Sequence, residues 1–127
     1  VIEESKIVDG IVIVNDRDPR ESVVFNFRTW VAIIQAIMVK YGDLGDDQAN
    51  AVLLASSLVE NALDGYLDVG LRAHELGYHW AMLLTHGEQY WRRGIDSDPP
   101  EGFWAWEKQY KKEHNLEDKT FVFFRNS

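Results

Sequence analysis

Cysteine is absent from the 127 residues. That removes disulfides, thiolate nucleophiles and cysteine-based zinc sites together. It fits a reducing compartment, so a cytoplasmic location is expected. Long apolar runs are missing as well. None approaches the roughly 20 residues that cross a bilayer, and no basic stretch followed by an apolar core opens the chain, so no membrane partner is expected. Basic charge is short: 13 Lys and Arg stand against 21 Asp and Glu, a formal net charge of -8. The shortage is local, because no Lys or Arg lies between Lys40 and Arg72, while Asp43, Asp46, Asp47, Glu60, Asp64 and Asp68 all do. Such an interval focuses negative potential toward a basic partner and opposes nucleic acid or an anionic membrane. Enzyme signatures are missing too. Ser56 and Ser57 lie in a helix-like pattern rather than at a Gly-x-Ser-x-Gly elbow, and the scattered glycines form neither a phosphate loop nor a dinucleotide fingerprint.

What is present suits a folded chain. Hydrophobic residues make up 46% of the composition, which argues against disorder. The length suits one domain, residues 1–127, around one core.

Residues 6–14 read as a β-hairpin, with Lys6-Ile7-Val8 and Ile11 to Val14 joined by Asp9-Gly10. A polar loop from Asn15 to Ser22 follows, broken most sharply at Asp18-Pro19, and Val23 to Phe27 reads as a third strand. Trp30, Ile33, Ile34, Ile37, Met38 and Tyr41 repeat at helical spacing, and Gly42 is a natural stop. A second helix starts at Asp46 or Asp47 and buries Val52, Ala55, Leu58, Val59, Ala62, Leu63, Tyr66 and Leu67. Opposite them, Ser57, Glu60, Asn61, Asp64 and Asp68 gather on a ridge about 100° wide. A third helix runs from about Val69 or Leu71 to Leu84 or Thr85. The segment around Pro99-Pro100 is a loop. An amphipathic helix over Phe103 to Glu113, with Lys108, Lys111 and Lys112 toward water, and a strand Thr120 to Phe124 complete the chain. The expected class is α+β: a small antiparallel sheet from the N-terminal hairpin, a third strand and a C-terminal strand, packed against three or four helices.

Three of the four histidines fall between Gly70 and Trp91. His74 and His79 are five apart, about 140° around a helix, so they cannot present two nitrogens to one ion as a zinc-protease helix does. His79 and His86 share a face but sit about 10 Å apart along the axis. Glu75 and His79, one turn apart, suit a local hydrogen-bonded pair; a metal held there would need ligands from elsewhere. No metal or cofactor is expected. Trp104 to Lys112 interleaves aromatics with lysines in the manner of a nucleic-acid surface, but Glu101, Glu107, Glu113 and the negative total argue against that use.

The expected function is an acidic protein-binding domain, of the kind an immunity or antitoxin-like inhibitor uses to neutralise a basic toxin or nuclease. Its contact residues would be Asp43, Asp46, Asp47, Glu60, Asp64 and Asp68, with Tyr66 or Tyr90 as anchors. The alternative is a small hydrolase or metal-assisted enzyme in which Glu75, His79 or His86 meets Asp64 or Asp68 across two packed helices. A structural subunit would instead expose a large apolar patch and pair as a homodimer.

Overall fold

The computed structural model describes residues 2–126. Three strands, β1 (Ile11–Val14), β2 (Glu21–Phe25) and β3 (Phe121–Arg125), form one antiparallel sheet in the order β1-β2-β3. Its register sets Ile11 opposite Phe25 and Phe25 opposite Phe121, with Ile13, Val23 and Phe123 in the next inward row. Val23 and Phe25 are fully buried, whereas Val12, Val14 and Phe124 lie exposed on the outer face. Among the described residues six α-helices, more than the three or four expected, pack with this sheet: α1 (Phe27–Gly42), α2 (Asp46–Ala55), α3 (Ser57–Glu60), α4 (Tyr66–His74), α5 (Gly77–His86) and α6 (Phe103–Glu113). No helix among the described residues is long and apolar enough to cross a membrane.

The hairpin is not where the Asp9-Gly10 pair pointed. Lys6 to Val8 forms no strand; Glu4–Lys6 is a single 3-10 turn, and the hairpin joins β1 to β2 across the polar loop. Asp9 has another task. Its carboxylate accepts from the Thr29 N–H at 2.8 Å and from the Thr29 hydroxyl at 3.0 Å, capping α1 from outside the helix. The Asn26 side chain, beside the start of α1, accepts from the Gly10 N–H at 2.9 Å and donates to the Lys119 carbonyl at 2.7 Å. Two ends of the chain are thereby tied to the entry of one helix.

The core runs along α1. Its helical repeat buries Trp30, Ile33, Ile34, Ile37 and Met38, as the spacing predicts. Phe25, Phe27 and Trp30 meet ring to ring at the sheet, while Tyr41 meets Tyr78, Phe103 and Trp106 at the other end. Gly42 ends α1 against α5. A Cβ there would lie 2.9 Å from Thr85 Cγ2, so only glycine lets the helices approach this closely. Asp43 then takes the left-handed position that closes the helix (φ 58°).

The two helices expected between Gly42 and Gly87 are four. Asp46 and Asp47 begin α2 inside its first turn, after Gly45, and neither provides a side-chain cap. At Ser56 the backbone turns extended (ψ 147°). The hydroxyl donates to the Leu53 carbonyl at 2.6 Å and accepts from the Val59 N–H at 3.4 Å, ending α2 and capping α3. Glu60, Asp64 and Asp68 therefore do not share one helical ridge. A second break at Glu75-Leu76, both extended, separates α4 from α5 within the histidine-rich stretch. That stretch bends at an elbow, and its α5 arm lies in the core, with Tyr78, Trp80, Ala81, Met82 and the following Tyr90 buried.

Candidate binding surface

The elbow leaves polar groups on either side, and their surroundings differ. On one side Arg72 is buried. Its guanidinium donates to the carbonyls of Leu58 (2.8 Å), Asp68 (2.9 Å) and Ser57 (3.3 Å), bridging α3 and α4. Burial pulls its pKa down, and the carboxylates of Asp68 and Asp64 pull it back up. Both carboxylates border a groove of about 390 Å³ with Arg72, Ser56, Ser57, Asn61 and Leu71. The sequence interval that looks uncompensated is thus partly answered by the arginine at its end. The Trp80 indole N–H donates to the Arg72 carbonyl at 3.0 Å, locking α5 to this cluster.

On the other side a groove of about 300 Å³ is bordered by Glu75, Leu76, His79, Tyr90, Trp91 and Ser97. Tyr90, expected as a contact anchor, is fully buried, with its hydroxyl 3.0 Å from His79 Nδ1. Tyr90, not Glu75, is the hydrogen-bonding partner of His79, because extended backbone at Glu75 removes the helical one-turn spacing. Burial raises the Tyr90 pKa, and the neighbouring Tyr78 and the Glu75 carboxylate raise it further. The rings of Tyr90 and Trp91 meet edge to face, their centroids 5.1 Å apart.

Glu75 and Leu76 also border a groove of about 400 Å³ that runs between the elbow, α6 and β3. Trp30, Phe103 and Phe121 are among its apolar walls, and Glu107, Lys111 and Lys119 add charge. Around the two grooves stand Leu76 (44% exposed), Trp91 (47%), Phe123 (49%) and Trp104 (57%). No local pattern in the chain marks this grouping, since its members come from four separate segments. Trp104 was visible only as part of the aromatic, basic run. That run divides in the fold: Trp106 packs on Tyr41 and Tyr110, and Lys111, expected in water, is turned in toward Glu107 (3.6 Å) and the Asp118 carbonyl (2.9 Å).

The other expected contact residues are dispersed. Asp43 is exposed at the end of α1, and Asp46 and Asp47 are exposed at the start of α2, where Asp46 accepts from Gln35 Nε2 at 3.1 Å. Glu60 is exposed on α3. Tyr66 is half-buried, its ring edge-on to Phe123 at 6.2 Å. The enzyme constellation is not assembled in one place, because His79 borders one groove while Asp64 and Asp68 border another. His86 lies at the last turn of α5, where its carbonyl accepts from Arg93. Among the described residues no group of three or more His, Asp or Glu is arranged to hold a metal ion. Comparison with protein-family models, curated proteins and solved structures gives no match to this chain.

Proposed function

We propose that the chain is an acidic protein-binding domain, acting in the cytoplasm, whose contact surface is the aromatic face around the elbow. The carrying observation is the grouping of Leu76, Trp91, Phe123 and Trp104, each about half exposed, beside two adjoining grooves. Tryptophan and other large side chains at the rim of a preformed depression are what binding hot spots are made of. The formal charge of -8 favours a basic protein as partner and speeds its approach. Asp43, exposed at the end of α1, and Asp46 and Asp47, exposed at the start of α2, add to that long-range field. An immunity or antitoxin-like inhibitor that covers the cationic surface of a toxin or nuclease fits this combination of charge and aromatic anchors.

Affinity capture with the full chain at low and moderate salt, followed by identification of the partner, tests the reading. The expected result is a basic protein whose binding to the Trp104→Ala variant is at least about tenfold weaker. A captured protein that is acidic, or that binds the variant as tightly, would overturn it.

A further inference from the structure

The groove bordered by Glu75, His79, Tyr90 and Trp91 has a more specific chemistry than the aromatic face as a whole. Three rings line it: His79 and Trp91 have centroids 6.5 Å apart, and Tyr90 lies 5.7 Å from His79 and 5.1 Å from Trp91. One carboxylate, Glu75, shares the rim, and among the described residues no Lys or Arg lines the groove. Two of the nearby cations are occupied elsewhere. Arg93 donates to the Glu88 and His86 carbonyls, and Lys111, in the adjoining groove, is held by Glu107 and the Asp118 carbonyl. Glu75 is exposed and has no ion pair among the described residues. The nearest loop brings more negative charge: Tyr78 donates to the Asp96 carbonyl at 3.1 Å, and Asp96 and Asp98 flank the lining residue Ser97.

Aromatic faces attract a cation through their quadrupoles, most strongly at tryptophan, and a carboxylate at the rim supplies the matching charge. We infer that this groove is a recognition pocket for a cationic side chain, an arginine or lysine of the partner, seated against the exposed Trp91 ring beside His79 with its charge at Glu75. The inference rests on the protein-binding reading above and names what the partner presents. The Glu75 field reaches into the groove, since it contributes to the raised Tyr90 pKa. A volume of about 300 Å³ is room for one long side chain rather than for a folded element.

The test uses the full chain and N-acetyl-arginine methylamide as probe, with the neutral citrulline analogue as control. NMR follows the Trp91 indole N–H, assigned with Trp91→Phe, and the His79 ring protons. The arginine probe is expected to give saturable shifts at both positions while the citrulline analogue does not. Glu75→Gln should weaken probe binding about fivefold with the fold intact. Equal responses to the two probes, binding unchanged in Glu75→Gln, or no saturable shift would each overturn the pocket. The two readings fail separately. If a basic partner is captured through Trp104 but the probe does not bind, the pocket falls and the aromatic face stands. If the probe binds and no basic protein is captured, the pocket stands and the protein-binding reading falls.

Discussion

Arg72 and His79 lie on opposite sides of one elbow, and both sit among groups that could belong to an active site. The difference is in what each cluster leaves over. Arg72 spends its donors on three main-chain carbonyls of its own chain and has two carboxylates for neighbours. The His79 side satisfies only His79 and Tyr90, leaving Glu75 and the Trp91 ring at the surface. Charge and residue type alone do not separate the two. A closed set of hydrogen bonds marks structure, and an open set beside exposed aromatics marks a surface for something else.

Arg72→Met should break this comparison most visibly. It takes the guanidinium away from three carbonyls, of which the Ser57 oxygen keeps the Asn61 N–H at 2.9 Å, and a loss of about 3 kcal/mol in chemical denaturation is expected. A loss below about 1 kcal/mol would mean that water replaces the side chain easily and the cluster is not closed.

Two glycines sharpen the contrast at smaller scale. Gly42→Ala drives a methyl into Thr85 on the packed side, where Thr85 Oγ1 is itself buried without a partner, and should cost about 2 kcal/mol. Gly77→Ala, at the first turn of α5 beside the large groove, meets Ile37 Cδ1 at an ordinary 3.6 Å and should add about 0.5 kcal/mol. Denaturation midpoints of the two variants moving in the same direction would contradict this assignment of a clash at Gly42 and an ordinary contact at Gly77.

The smallest effect is expected at high pH. Burial raises the pKa of Tyr41, Tyr78, Tyr90 and Tyr110 above the usual tyrosine value. A folded-state pKa raised above the unfolded one contributes stability that is fully present below about pH 10 and is lost as pH climbs through the folded values. Denaturation should therefore show no tyrosine-linked change from pH 7 to about 9 and a decline above about 10. Tyr90→Phe should reduce that decline. An equal decline in the variant would remove Tyr90 from the account.

Much of the fold was legible because periodicity reports burial directly. The α1 repeat and the apolar run of β2 describe faces that the core covers, whereas α6 buries only Phe103 and β3 leaves Phe123 and Phe124 about half exposed. The helix breaks were not legible in the same way. Ser56 sits inside a continuous helical pattern, and its capping role depends on the chain turning there. Asp9-Gly10 has the composition of a tight turn, yet the free N–H groups of α1 claim the aspartate. The acidic interval was legible as composition but not as a surface, because the Ser56 break and Gly65 disperse its carboxylates. The aromatic face lies beyond local reading altogether: Leu76, Trp91, Trp104 and Phe123 are brought together only by the elbow, α6 and β3.

The most direct test of that face compares binding of the captured basic partner to the wild-type chain, to Trp104→Ala and to the double variant Asp46→Lys, Asp47→Lys. The account predicts that Trp104→Ala speeds dissociation by at least about tenfold, while the lysine pair mainly slows association. Wild-type dissociation from Trp104→Ala, with affinity lost in the lysine pair instead, would place the contact on α2 and contradict it.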